Sequence, residues 1–449
     1  MTCRKSRARL LDLQPLETRD VPSAVAGGLL CECPQCSGAG TVGLLAESTG
    51  GAGPAAALAA DPVPGSDTYT RATGDLRIDS LTADAPKAAG PRTMNYTFGT
   101  FPFSQKLKDN YREIFDWLTH TNLIDTKFVE SDAVVPGQQM IRIATRTDGY
   151  ATGGGYSVQL NLQYDYEGEL NGWQNGPGSH GYATLSHELG HALGLKHTFE
   201  GVAGYNALLP GQNHQINTLM GNANKFGAGT FMRNDALALQ YLYGAGAHNT
   251  GDTTYTFADR IDIFPDAGRP LSADGYYING TAQLLWDTGG TDTLDFAALP
   301  ADPGGYRFDL RPGGLLAKKT AYDAVNDVAR YASVIAYGVL IENVVASSGS
   351  DDIVLNAARN RVSGYPAGKA VGADAIFGAT TEDTLDLSAY TKAQVTATRD
   401  GNDLKLTLGA NGSVTVKDYY AGRGLVVQLS DGTLATGDRG PAANDLEVA

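Results

Sequence analysis

His187-Glu188-Leu189-Gly190-His191-Ala192-Leu193-Gly194-Leu195-Lys196-His197 is the stretch on which the reading of this 449-residue chain turns. With the YATLS that precedes it, the spacing predicts a helix over 182–197. Residues four apart on a helix differ by roughly 40° in direction, so His187 and His191 project from one face and can share a metal ion. Gly194 can take the positive φ that ends the helix and swings the chain back, which lets His197 bring a third nitrogen. Three neutral imidazoles leave a tetrahedral zinc one open position for water, and Glu188 stands beside it as a general base. Three of only seven histidines fall into this pattern, which argues against unrelated core histidines.

Upstream, residues 37 to about 90 are rich in Gly, Ala, Pro and Ser, so 1–90 reads as a leader, flexible region or pro-segment. All four cysteines (Cys3, Cys31, Cys33 and Cys36) lie there, in a spacing that fits no four-ligand zinc pattern well, so no disulfide staples the later chain. Aromatic residues begin near PRTMNYTFGTF, and KLKDNYREIFDWLTHTN follows. There Leu107, Tyr111, Ile114, Phe115 and Leu118 recur at three- and four-residue spacing, which predicts an amphipathic helix. MIRIATR and YSVQLNLQY read as strands, and NDALALQYLYG reads as a helix stopped by Gly244. This order predicts an α+β domain over 91–245.

Beyond residue 246 no long helical period occurs. Short alternating runs such as LLWDTGGTDTLDF, GSDDIVL, GADAIFG, DLKLTL and SVTVKDYY, separated by Gly and Asp, predict an all-β half, a degenerate parallel β-roll or β-sandwich. The net charge of −15 has the wrong sign for a sequence-independent grip on nucleic acid or an anionic membrane, and no apolar run is long enough to span a bilayer. From residue 246 onward there are 26 acidic and 16 basic residues, and 23 of the acids are Asp, which suits turns and hard-cation sites.

HELGHALGLKH is the metzincin signature, and Met220 in NTLMGN, 23 residues past His197, is the candidate for the Met-turn that packs beneath the histidines. FMRNDALALQYLYGA resembles the helix that closes serralysin catalytic domains, and LLWDTGGTDTLDF resembles the WDxGGxDTxDF that opens their calcium-binding β-roll. The resemblance spans roughly 91–395 and implies a metzincin zinc-protease domain (91–245), a serralysin-type β-roll (246–395) and a C-terminal β module (396–449). It also implies a secreted or cell-surface bacterial endopeptidase with one catalytic zinc, acting on polypeptides, and a monomer. QPLETRDVPS is similar to an N-terminal segment of large bacterial proteins and suggests export.

Carried over position by position, the family's calcium segments match Asn249, Gly251, Asp252 and Thr253, then Asp287, Gly289, Gly290 and Asp292, and then Glu342; Asp351 is retained from the repeat array. One to a few structural calcium ions are expected, because Arg359 stands where the next repeat would carry an acid. Asn222 replaces the family's Tyr after the Met-turn. Two smaller expectations concern the cleft: residues 156–162 form either the edge strand that pairs with extended substrate or an interior strand, and the loop between His197 and Met220 shapes the pocket beyond the scissile bond. The competing reading is a non-catalytic, calcium-stabilised adhesion or scaffold protein that keeps a zinc site as structure; the intact Glu188 disfavours it.

Overall fold

The computed structural model describes residues 68–69, 72–82, 85–87, 92–132, 140–149, 151–167, 172–200, 207–221, 228–258, 282–329, 332–422 and 424–434. The four cysteines and Asn222 lie outside them. After a short helix α1 (Leu76–Asp79), the chain builds a five-stranded sheet and three longer helices, α2 (Gln105–His120), α3 (His180–Ala192) and α4 (Arg233–Tyr243). Ser104 caps α2 through its Oγ, which accepts from Leu107 N, and the helix buries Leu107, Tyr111, Ile114, Phe115 and Leu118. Each such side chain contributes roughly 1.5–3 kcal/mol of gross burial energy. Phe115 stacks on Tyr96 of the sheet at 3.9 Å between ring centroids.

The sheet order is Thr126–Glu130, Arg92–Thr97, Met140–Arg146, Ser157–Asn161, Ala151–Gly154. All pairings are parallel except the last, which is antiparallel. Of the two readings of residues 156–162, the interior strand is the one observed. Ser157–Asn161 is paired on both sides, and the outer position beside it belongs to Ala151–Gly154, which turns back on it through Gly154 and Gly155 at positive φ.

Past α4, closed by Gly244 at φ 79°, no further α-helix occurs among the described residues. Two sheets of seven and nine strands run side by side in sequence, and the chain alternates between them. Asn343–Val345 belongs to one sheet, Asp352–Val354 to the other and Arg361–Ser363 to the first again; their starting residues are nine apart. Like strands stack in parallel register, Val344 on Val362 and Ile353 on Ile376. A parallel stack in register turns the same position inward at each rung, and those positions carry buried apolar residues such as Val344, Ile353, Val362 and Ile376. Phe257, Phe296 and Phe308 fill its first rungs, with Phe296 and Phe308 stacked at 3.8 Å. The strands from Thr396 to Leu434 continue these same two sheets.

Candidate metal centre

Ser179 opens α3, its Oγ accepting from Tyr182 N at 3.1 Å, and Gly194 closes it at φ 99°. Leu195 N donates to Gly190 O at 2.9 Å and Gly194 N to His191 O at 3.0 Å, the paired bonds of a glycine-terminated helix. The reversal sets His197 against His187 and His191. Their Nε2 atoms converge, with His191 to His197 at 3.1 Å and His187 to His197 at 3.3 Å. All three rings are buried.

Each Nδ1 faces an acceptor: Leu219 O for His187 at 2.7 Å, Leu195 O for His191 at 2.8 Å and Glu200 Oε1 for His197 at 2.8 Å. Nδ1 therefore carries the proton on every ring and Nε2 presents a lone pair. Three such lone pairs aimed at one point fit a cation. The separations match the roughly 3.3 Å expected between nitrogens about 2.05 Å from a tetrahedral zinc. Among the described residues, this is the one group of three His, Cys, Asp or Glu whose ligand atoms lie within 4.8 Å of one another. Glu188, fully buried, follows the first ligand on the same helix.

Met220, fully buried, packs against α3 at Gly190. A Cβ on Gly190, between the first two ligands, would come 2.8 Å from Met220 Sδ, so the sulfur occupies the space that the glycine leaves. The turn is pinned to α4 by buried Asp235, which accepts from Thr218 Oγ1 at 2.5 Å, Leu219 N at 2.8 Å and Met232 N at 3.0 Å. Burial raises the Asp235 carboxyl to about 6 although all three donors favour the anion. Glu200, Asp235 and the Leu219 carbonyl were missed by sequence reasoning. An acid three residues past the last histidine was the signal available for Glu200, and an acid at the third position of a helix for Asp235.

The strand Ala151–Gly154 runs directly along α3. A Cβ on Gly153 would lie 2.1 Å from Glu188 O and 2.8 Å from His191 Cβ, so only glycine permits this approach. Phe199 stacks on the His197 ring at 4.8 Å.

The residues matched to calcium segments fall into two places. The turns 249–253 and 287–292 meet, with a Cβ on Gly290 reaching 2.4 Å from Gly251 O. Asp252 Oδ1 accepts from Thr291 N, Asp292 Oδ1 from Thr253 N and Glu342 Oε2 from Asp292 N, each at 2.8 Å. Asp287 accepts from Tyr255 OH and Gly289 N, and Asn249 Nδ2 donates to Tyr255 OH. Burial first, then the Asp287 and Glu342 carboxylates, raise Asp292 to about 7. Asp351 sits apart, further along the roll. It accepts from Ser347 N and Tyr306 N, while its own N–H donates to Asp374. These acids tie neighbouring rungs through backbone donors.

Residues 249–430 match the family model described as peptidase M10 serralysin C terminal. The chain is 32% identical to serralysin C of Dickeya chrysanthemi over 218 residues, 42% of this chain and 41% of that protein. It is 31% identical to metallopeptidase AprA of Pseudomonas marginalis over 203 residues, 40% of this chain and 39% of that protein. With serralysin of Proteus mirabilis the identity is 30% over 204 residues, 41% and 37% of the two chains. The matched part thus spans about two-fifths of each relative's length. The strand-rich half thus matches the serralysin C-terminal domain, and the chain is similar to serralysin and AprA metalloproteases over about two-fifths of its length.

Proposed function

We propose that the chain is a zinc-dependent endopeptidase, exported by a bacterium and acting on polypeptides as a monomer, with an architecture of metzincin domain, calcium-stabilised roll and C-terminal module. The observation that carries the reading is the convergence of three Nε2 lone pairs while every Nδ1 is held by an acceptor, with Glu188 on the same helix. His187, His191 and His197 would hold the metal. A zinc ion there would supply Lewis-acid polarisation of the scissile carbonyl and acidify a water.

The protein's own groups do the rest. Glu188 takes the proton of the attacking water on its carboxylate and returns it to the leaving amine. The strand Ala151–Gly154, terminal in its sheet and packed on α3, would align an extended substrate by strand addition, the role expected from sequence for residues 156–162. Asn249, Gly251, Asp252, Thr253, Asp287, Gly289, Gly290, Asp292 and Glu342 would hold the first calcium ions, where the raised Asp292 carboxyl gains most from a cation. Asp351 would belong to a separate rung. Among the described residues no helix is long and apolar enough to cross a membrane.

Metal analysis and a casein digest test the reading. Purified protein should hold about one zinc per chain and cleave casein until a chelator is added. Zinc-loaded protein inert toward every unfolded substrate would overturn it.

A further inference from the structure

The turn that carries the third histidine is held by three backbone bonds. Leu195 N donates to Gly190 O at 2.9 Å, Thr198 N to Met220 O at 3.3 Å and Lys196 N to Leu81 O at 2.9 Å. The first two acceptors belong to α3 and to the turn at Met220. The third comes from the N-terminal part of the chain, and it holds the amide directly before His197.

Leu81 follows α1, and the chain around it is closely tied. Asp79 is buried and accepts from Thr73 N at 2.7 Å, Thr73 Oγ1 at 2.9 Å and Gly74 N at 2.9 Å, so the residues that enter α1 are bonded to its last one. Asp75 caps the helix by accepting from Arg77 N at 2.9 Å. Ser80, Leu81 and Thr82 are fully buried, and Thr82 Oγ1 donates to Ile78 O at 3.0 Å. A helix of four residues does not persist by itself in water, so this segment is ordered by what it packs on.

Its other attachment is to the β half. The Arg77 guanidinium lies 4.3 Å from the centre of the Tyr337 ring, and its Nη2 pairs with Asp75 Oδ2 at 2.6 Å. Tyr337 in turn lies against Gly313, where a Cβ would come 2.3 Å from Tyr337 Cε1. The Gly313 carbonyl accepts from Arg233 Nη1 at the start of α4.

We propose that residues 73–82 form a clasp that positions the third metal ligand. Leu81 holds the amide before His197, Asp79 fixes the chain on either side of α1, and Arg77 ties the clasp to Tyr337 of the roll. Leu81 and Asp79 are positioning residues that act through Lys196. A site works only if its ligands are held to about 0.5 Å, and a bond on the peptide next to His197 limits the swing of that peptide. The clasp lies within the stretch whose composition reads as a leader, so on this inference chain can be removed only ahead of Thr73. The inference rests on the metal-binding part of the endopeptidase reading and goes beyond it.

The test uses the full-length chain, first saturated with cobalt(II), whose visible spectrum reports the ligand arrangement, and then with zinc against a competing chelator. Asp79→Ala loosens the clasp at α1, and Tyr337→Leu releases it from the roll. Both variants should exchange amide hydrogens faster over 193–198 and show an altered cobalt spectrum. Zinc affinity should fall by about two- to tenfold, the range spanned by one hydrogen bond or cation–π contact. Arg77→Ala should match Tyr337→Leu and add little to it in the double variant. Variants with the wild-type cobalt spectrum and zinc affinity overturn the inference even if they melt earlier, because a merely structural segment would lower the melting temperature alone. Should Asp79→Ala fail to fold, Tyr337→Leu and Arg77→Ala decide by the same measurements. Wild type that binds metal but cleaves nothing ends the endopeptidase reading, while the spectra still judge the clasp. Wild type that binds neither cobalt nor zinc overturns both.

Discussion

The Nδ1 of His197 lies 2.8 Å from Glu200 Oε1, so the third ligand is oriented by a carboxylate, while His187 and His191 are oriented by backbone carbonyls. The Glu200 carbonyl also accepts from Lys196 Nζ at 2.7 Å, which fixes the turn after the ligand. An anion behind an imidazole raises its basicity toward a metal. Glu200→Gln keeps an acceptor in place and removes the charge. Zinc affinity measured against a competing chelator should fall by about 10- to 100-fold with the fold unchanged. Equal affinity in the variant would show the contact to be incidental.

Gly190 separates packing from propensity. Ala is the better helix former by up to about 1 kcal/mol, so an unobstructed Gly190→Ala would stabilise α3. Its Cβ would instead press on Met220 Sδ at 2.8 Å, with Leu195 Cδ1 and Phe231 Cε1 at 3.5 Å leaving little room to yield. Urea unfolding should show a net loss of roughly 1–3 kcal/mol. A gain in stability would mean that Met220 does not fill the space at Gly190.

The buried acids give stability an unusual pH dependence. Asp374, pushed up to about 8 by burial and by Asp351, accepts from Asp351 N at 2.8 Å and Tyr365 OH at 2.9 Å. A carboxyl whose folded pKa lies above its unfolded value holds its proton more tightly in the folded state. Its favourable contribution is complete below about pH 4 and is lost as pH rises to the folded pKa. Calcium-free protein should therefore lose stability between about pH 4 and 8 through this group, and Asp374→Asn, which keeps the acceptor without the charge, should flatten much of that slope. Thermal melts across this range decide it; the same slope in the variant would remove Asp374 as its origin.

Calcium should act at the first turns of the roll. A cation among Asp252, Asp287, Asp292 and Glu342 would offset the burial, and the Asp287 and Glu342 charges, that raise Asp292, so added calcium should increase the melting temperature. Glu342→Gln should weaken that response. A melting temperature indifferent to calcium would refute the site.

What was legible in the sequence was local. The helix Gln105–His120 and its buried face follow from three- and four-residue spacing, and the metal triad follows from one helical turn plus a glycine stop at Gly194. The alternation of apolar residues after 246 correctly indicated a β half. The rest depended on register between distant segments. Ser157–Asn161 alternates as an edge strand should, yet its return through Gly154 and Gly155 places Ala151–Gly154 outside it. The backbone partners of the roll's acids were not legible: Asp292 and Asp374 accept N–H groups from rungs about 39 and 23 residues earlier, a pairing set by the parallel register. Arg233 gave no signal of its reach to Gly313 and Asp327, more than 75 residues away.

The most direct measurement compares zinc-loaded wild type and Glu188→Ala on a peptide library. Removing the base without touching a ligand should leave about one zinc per chain in place and cut turnover by about 10²- to 10⁴-fold. A Glu188→Ala protein that cleaves as fast as wild type would contradict the mechanism. Zinc-loaded wild type that cleaves nothing would return the chain to the reading of a metal-stabilised scaffold.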